Sequence, residues 1–503
     1  MALHNDIWRL LVVRTSIRAI PESRRRWLAL ALIVTAQFMV VLDIAIVNVA
    51  LPSIKTDLGF PEASLQWVIS AYAIVFGGFL LLGGRLADVF GRRRLFIAGL
   101  LLFSGSSLLC GLAWSEGSLI AFRALQGLGG ALLAPAALSI LMTTFREGRE
   151  RNVALGVWGA ASGSGGAAGV LLGGVLTSYL SWSWIFFINV PVGAAVIAVT
   201  PWLLRESRSE LRHRHFDVAG ATSVTAGLIL LVYAMTRTAT SGWGDSTTLA
   251  LLAGSGILIA SFIAIELRSK APLLPLRIFR QRTLAAANGI AVIVGATAFS
   301  QFFLLTLYTQ QVLHYSALQT GAGFATTTLS IVVFANVGQK LVTRFGVRPV
   351  LSTGLSLVAV SLALLTQLPT HGHYFWNLFP AYLLSGIGMA FTFVPMTIAG
   401  LTGVAAADAG IASGLINTTR QVGGAVGLAA MSTIAAASTH PGIAASLAGA
   451  DLTNGFRTAF DILTGFALVG VVVALRFVGP ARVPAVTVPV RQADIIEQLE
   501  EAA

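Results

Sequence analysis

The sequence predicts an all-α membrane protein of fourteen transmembrane helices, arranged as two six-helix pseudo-repeats with two helices inserted between them. Three observations lead there: composition, the distribution of charge along the chain, and an internal repeat. Of 503 residues, 56% are apolar before any of the 52 glycines is counted, and only 11% are charged. A soluble chain is about 25% charged, because a globule of this size needs a charged skin. The mean hydropathy of +0.81 excludes a cytosolic enzyme and a disordered chain.

A membrane span needs about 20 mostly apolar residues. Fourteen stretches qualify, near 28–50, 65–84, 95–113, 118–142, 153–177, 184–204, 218–236, 247–265, 284–307, 320–339, 350–368, 376–400, 409–436 and 458–475. Residues 152–204 and 349–407 hold no Asp, Glu, Lys or Arg. As single helices they would reach about 80 and 90 Å at 1.5 Å per residue, against a hydrocarbon core of about 30 Å. Each therefore crosses twice, with breaks at Ser178–Ser183 and Leu368–His373, where aromatic residues and turn formers cluster.

With the N-terminus inside, the inner segments carry 28 of the 33 Lys and Arg residues, and the outer loops carry only Lys55, Arg237 and Arg457. Arg123 and Arg420 lie within spans. This split is the positive-inside bias, and a miscount of one span would mix the two sets. The net charge of +12 is thus a topology signal, and no basic face points to nucleic acid. A single cysteine, Cys110, excludes an internal disulfide. The arginine-rich head is read as uncleaved, since the apolar run after it is too long for a signal peptide.

The segment Gly83-Gly84-Arg85-Leu86-Ala87-Asp88-Val89-Phe90-Gly91-Arg92-Arg93-Arg94 recurs 255 positions later. Gly83, Arg85, Leu86, Phe90, Gly91 and Arg93 reappear as Gly338, Lys340, Leu341, Phe345, Gly346 and Arg348. Each copy follows the second span of a six-span set. The organisation read from this is a basic segment at 1–26, a six-helix bundle at 27–204, two linker helices within 205–283, a second bundle at 284–478 and a tail at 479–503. Internal repeats of this kind place a substrate site near the bilayer midplane.

Asp43 stands alone in an apolar span. A centred Asp costs about 2.5–3.5 kcal/mol on insertion scales and is a functional candidate by default. At helical rise it lies about 13 Å from the outer end of the first helix, and Arg123 about 8 Å from the outer end of the fourth. These depths suit a direct or water-bridged pair. Burial favours a neutral carboxyl and a nearby cation favours a carboxylate. A carboxyl between those pulls can load and release a proton. A static pair that fixes helix packing is the alternative. Moving one charge through 100 mV yields about 2.3 kcal/mol, and one pH unit adds about 1.4 kcal/mol. One proton then supports roughly a several-hundredfold gradient of a neutral solute.

Six segments stand out as motifs: Leu42–Pro52, Gln66-Trp67-Val68 with Tyr72, the Gly83–Arg94 loop, Arg123–Gly127 with Gly130 and Pro135, Phe186–Gly193, and Gly410–Gly414 with Asn417–Gly424. Together they resemble the fourteen-helix drug:proton antiporters of the major facilitator superfamily. They stand in the family's order on the expected spans. The resemblance implies proton-coupled export of lipophilic, often cationic small molecules by alternating access, with Asp43 and Arg123 in proton coupling. It also implies that Gly83, Arg85, Asp88, Gly91, Arg92 and Arg93 form a gating loop that latches the cytoplasmic side. Gly165, Gly169, Gly173 and Gly174 match the fifth-helix antiporter motif, except that Val170 stands where that motif has proline. Their spacing fits close helix packing as well as a sliding seam.

The expected cavity wall comprises Gln37, Phe38, Trp67, Tyr72, Gln126, Asn189, Phe299, Gln301, Phe302, Asn417, Arg420 and Gln421. Apolar walls with a few amides suit lipophilic ligands, and helix packing is the competing role for each. Arg420 has a lipid headgroup or Asp408 as alternative partners. His213, His215, His371 and His373 lack the ligand density of a metal site, and no phosphate-binding loop is present. The expectation is therefore a transporter without catalytic residues, metal or cofactor, powered by the proton gradient. Its partners are a small-molecule substrate, protons and the lipid bilayer. It is expected as a monomer in the cytoplasmic membrane with both termini inside. A carrier of one endogenous metabolite, by export or uptake, and a non-transporting membrane sensor or scaffold are the alternative functions.

Overall fold

The structure is a computed structural model that describes residues 21–145, 149–207, 217–269, 272, 274, 276–402, 409–437 and 445–479. Fourteen long helices account for nearly all of them. They are α1 (Glu22–Leu58), α2 (Trp67–Phe90), α3 (Arg92–Gly111), α4 (Glu116–Thr144), α5 (Arg149–Tyr179), α6 (Asn189–Leu203), α7 (Val218–Ser241), α8 (Ser246–Arg268), α9 (Arg282–Leu307), α10 (Ala317–Phe345), α11 (Val347–Leu365), α12 (Phe379–Leu401), α13 (Ala409–Ala437) and α14 (Ala445–Phe477). The two charge-free stretches break as expected: α5 ends at Tyr179 and helix resumes at Trp184, while α11 ends at Leu365 and helix resumes at Tyr374. The basic head before residue 21, the tail beyond residue 479, His213, His215 and Asp408 lie outside the described residues.

Helix ends are set by local chemistry. Ser115 and Ser316 open α4 and α10 with reciprocal capping boxes, and the Asp245 carboxylate accepts the Thr248 backbone N–H at the start of α8. That hydrogen bond holds the Asp245 carboxyl below its ordinary range. Between α2 and α3 stands Gly91 at φ 106°, and between α10 and α11 stands Gly346 at φ 89°. Both are left-handed positions that strain any residue with a Cβ. The repeated loop thus makes the same break twice.

Helix pairing also recurs. In the first set α1 packs on α5, and α4 on both α2 and α3; in the second α9 packs on α13, and α12 on both α10 and α11. Between the sets run two seams, α5 against α10 and α2 against α13. Twelve stretches are long and apolar enough to cross a membrane among the described residues, and neither α5 nor α13 is among them. These two helices are rich in glycine and alanine, and each packs within its own set and across a seam. Lipid offers little drive for helix association, so small residues that let backbones touch do the work. Cβ atoms added at Gly165, Gly169 and Gly173 would stand 3.0, 2.8 and 2.8 Å from backbone oxygens or side chains of α1. That glycine row is packing within the first set. Gly174, on the next face, meets Ala317 and Leu318 of α10.

The inserted pair α7–α8 lies against the α2–α13 seam. Gln66 donates to Thr236 at 2.9 Å, and Thr433 donates to the Met235 carbonyl at 3.1 Å. Trp67, Ala71, Ile74, Leu228, Val232, Ala425 and Ala429 form one apolar cluster there, so α7 touches both sets.

The apolar core divides unevenly along the helix axes. On the face away from the arginine-rich loops, one cluster draws on both sets, including Leu42, Ile46, Val170, Phe303, Tyr308, Phe324, Tyr382 and Phe456. Toward the arginine-rich face each set has its own cluster. One is built from Ile33, Ala36, Phe96 and Ala136, the other from Ile290, Leu351, Met396 and Ala474. Across the shared half, Gln310 donates to the Val49 carbonyl at 2.8 Å and the Leu318 N–H donates to Ser178 at 3.2 Å. The chain is therefore closed on the arginine-poor face.

Candidate functional site

Asp43 and Arg123 meet directly. Both are buried, at 0% and 1% exposure, and Arg123 Nη1 lies 2.7 Å from Asp43 Oδ2. Gln126 and Asn189 donate to Asp43 Oδ1 at 2.8 and 3.0 Å, and both also donate to Ser107 Oγ, at 3.1 and 3.0 Å. Ser107 passes its own hydrogen to the Phe186 carbonyl at 2.9 Å. The carboxylate is thus surrounded by donors from α4 and α6, with Ser107 of α3 accepting from both amides.

Arg123 has partners besides the carboxylate. Its Nε donates to the Val68 carbonyl at 2.9 Å, and Nη1 also donates to Gln126 Oε1. The guanidinium lies 4.5 Å from the Tyr72 ring centre and 5.6 Å from that of Phe186. Arginine over an aromatic face is stabilised by about 0.5–1 kcal/mol when exposed and about 2 kcal/mol or more when desolvated. A buried ion pair that lost one member would ordinarily strand the other at a cost of about 3–5 kcal/mol. Here the guanidinium keeps two oxygens and two rings when the carboxylate is neutralised. The arrangement holds a multiply bonded cation beside a buried carboxyl.

Sequence reasoning placed Gln126, Asn189 and Tyr72 on a cavity wall, and the structure gathers all three around this pair. It missed Ser107 and the Val68 and Phe186 carbonyls, because a serine or a backbone oxygen in an apolar span carries no distinguishing pattern. Trp67 goes elsewhere, into the cluster with α7 and α13. Gln37 and Phe38 are half-buried on α1. Phe299 packs on Gly424, and Gln421 is buried opposite Gly77 on the α2–α13 seam. Gln301 and Phe302 belong to a separate polar centre in the second set. Asn417 is exposed, 3.5 Å from Arg420, whose guanidinium lies 5.7 Å from the Phe393 ring centre.

In the repeated loop the cations bind the end of α6. Glu206 Oε1 accepts the Arg93 backbone N–H at 3.1 Å, and Glu206 Oε2 lies 3.8 Å from both Arg93 and Arg94 side chains. The Arg92 N–H donates to the Ser207 carbonyl at 3.1 Å, and Arg85 reaches the Pro272 carbonyl at 3.0 Å. The Asp88 side chain lies outside the described residues. Glu206 was not singled out from the sequence, where it is one charged residue in a charged junction.

Gly83 has a specific cause. Pro135 lacks an N–H, so the Ala131 carbonyl one turn earlier in α4 has no helical partner. A Cβ at Gly83 would stand 2.1 Å from that oxygen. The α2 backbone therefore lies directly on the vacated carbonyl. Replacing Gly83 with alanine should force α2 and α4 apart and lower the melting temperature of the purified protein by several degrees. An unchanged melting curve would show that the contact has no weight.

Comparison with known proteins follows the same lines. A family model for the Major Facilitator Superfamily matches residues 33–428. The chain is similar to the puromycin resistance protein pur8 of Streptomyces alboniger, at 39% identity over 90% of this chain and 91% of that one. It is similar to the cephamycin export protein CmcT of Amycolatopsis lactamdurans, at 40% identity over 88% and 90%. Among solved structures, a peptide transporter POT in complex with sulfate superposes with a TM-score of 0.66 at 16% identity, over 92% of this chain and 99% of that one. At that identity the likeness is one of fold.

Proposed function

The chain belongs to the Major Facilitator Superfamily, and from that premise we propose that it exports lipophilic, often cationic small molecules of the antibiotic class in exchange for protons. The observation that carries the proposal is the buried Asp43–Arg123 pair with its ring of amide donors. Relatives named for puromycin resistance and cephamycin export, matched over about nine-tenths of their length, support the cargo class and the outward direction. Val170, in place of the motif proline, is buried, and its backbone oxygen faces Gly321 across the α5–α10 seam.

Asp43 is the proton carrier and Arg123 its fixed partner. With the carboxyl ionised, Arg123 pairs with it. When a proton binds, the guanidinium remains on Val68, Gln126 and Tyr72, so the helices keep their places without the charge pair. The energy source is the proton gradient, with no resident cofactor and no chemical step. The sets exchange access by rocking about their seams, with the Gly83–Arg93 loop steadying the end of α6 on the inner side. We read the chain as a monomer in the cytoplasmic membrane with both termini inside.

Exchange makes a direct prediction. In lightly buffered detergent solution, adding puromycin to the purified protein should release protons, and Asp43→Asn should abolish the release. A pH-independent absence of release, with the drug demonstrably bound, would sink the exchange mechanism.

A further inference from the structure

Of the twelve apolar spans among the described residues, α8 is the least enclosed. Only 11% of its most apolar stretch is buried inside the protein, and its one extensive helix partner is α7. Toward the arginine-rich end of α8 runs an open groove of about 490 Å³, lined by Ser261, Ala264, Ile265, Arg268 and Ser269. The first four recur at helical spacing and share one face. All five belong to α8 and the residue after it, so the groove is no part of the face between the two sets. Ala264 and Ser261 are small and give it depth. Ile257, 66% exposed, continues the same face one turn further from the arginine-rich end.

Arg268 closes the groove at its polar end. It is exposed, and its guanidinium has neither an acidic partner nor a hydrogen bond among the described residues. Glu266 does not neutralise it. Two residues back, that side chain lies on the opposite side of the helix, is 4% exposed, and accepts the Leu274 N–H at 3.0 Å. This bond folds the following chain onto α8, where Phe262 packs with Leu274, Phe279 and Leu284. The short turn Leu276–Arg280 and the start of α9 thereby bring Arg277, Arg280 and Arg282 to the same edge, all exposed. Every exposed charged side chain described from Arg268 to Arg282 is positive. A basic edge beside a lipid-facing helix suits an anionic headgroup.

We propose that this groove binds an anionic phospholipid from the leaflet on the arginine-rich face. The lipid phosphate accepts charge-assisted hydrogen bonds from Arg268, whose planar fork matches phosphate oxygens. An acyl chain lies along Ala264, Ser261 and Ile257. The neighbouring arginines favour a headgroup of net negative charge over a zwitterionic one. A free phosphate ion would use the cation and leave the apolar wall bare, so the occupant is a lipid.

The test is native mass spectrometry of the purified full chain, released from detergent with equal amounts of phosphatidylglycerol and phosphatidylcholine. The wild type should retain phosphatidylglycerol in preference. Arg268→Ala should cut that preference about fivefold, the worth of one cation at an anionic membrane surface. Ala264→Phe fills the groove without touching the charge and should also lower it. Arg476, exposed in the last turn of α14, is the comparison, and Arg476→Ala should leave the preference unchanged. An equal loss in Arg476→Ala would mean general surface charge and overturn the site. Arg268 could instead serve only the negative end of the α8 dipole. In that case Arg268→Ala lowers the melting temperature and keeps the lipid preference, which also overturns the site. Displacement of phosphatidylglycerol by millimolar inorganic phosphate would overturn the assignment to a lipid.

Discussion

Efflux driven by a pH gradient should fall to background, at least about a hundredfold, when Asp43 is replaced by asparagine, while the chain should still fold. Folding survives because asparagine keeps the shape of the carboxyl and most of its contacts. Its carbonyl oxygen can accept from Gln126 and Asn189, as Asp43 Oδ1 does. The loss falls on the Arg123 side, where an amide N–H₂ or a rotated oxygen replaces the anion. Arg123 retains the Val68 carbonyl, Gln126 Oε1 and the Tyr72 face, so the general cost of about 3–5 kcal/mol for stranding a buried charge is softened. Asparagine thus imitates the protonated state permanently. The variant should still exchange drug down its own gradient, since that step needs no proton, and should fail to concentrate drug against one. Arg123→Ala should behave differently, leaving a buried carboxylate without its cation and lowering the yield of folded protein. Uphill efflux by Asp43→Asn at the wild-type rate would remove the carboxyl from the coupling.

The contrast between what the sequence revealed and what it hid follows from how much each residue costs in lipid. Asp43 and Arg123 are expensive in an apolar span, so their presence alone announced a partnered pair. Gln126 and Asn189 are cheaper. An amide in a span says only that it needs partners, and nothing in its spacing says that the partner is Asp43. Ser107 is cheaper still and left no trace. Trp67 was expected on the cavity wall because it begins a motif-bearing span, yet it packs against α7, and no hydropathy pattern tells a lipid neighbour from a helix neighbour. The ends of the helices went the same way. Hydropathy falls where the chain leaves the hydrocarbon, but backbone hydrogen bonding continues, so α1 runs from Glu22 to Leu58 while the apolar stretch covers about 28–50. The repeated loop was legible because glycine at Gly91 and Gly346 answers a backbone requirement. Its partner Glu206 was not, since the contact spans more than a hundred residues.

Replacing Gly321 with valine should abolish efflux by a different route, through the seam rather than the proton site. Gly321 lies on α10 where it crosses α5, and a Cβ there would stand 2.3 Å from the Val170 backbone oxygen. Helix backbone cannot yield as a flexible side chain can, so the two helices must separate by more than an ångström. The contacts beside this point are those that close the arginine-poor face, with Gly174 on Ala317 and Leu318 and the Leu318 N–H on Ser178. Gly321→Val therefore disfavours the closed seam on the arginine-poor face and spares the separate core of each set. Alternating access needs both end states, so a bias of about 2.7 kcal/mol would leave the inward-facing state near 1% in an otherwise balanced equilibrium. Drug efflux should fall accordingly, with the protein still folded and its Asp43–Arg123 pair intact. Spin labels at Ser178 and Leu318 should report a short distance in the wild type and a longer one in Gly321→Val. Wild-type efflux by the variant, or an unchanged distance between the labels, would show that α5 and α10 do not need to touch here for the cycle to turn.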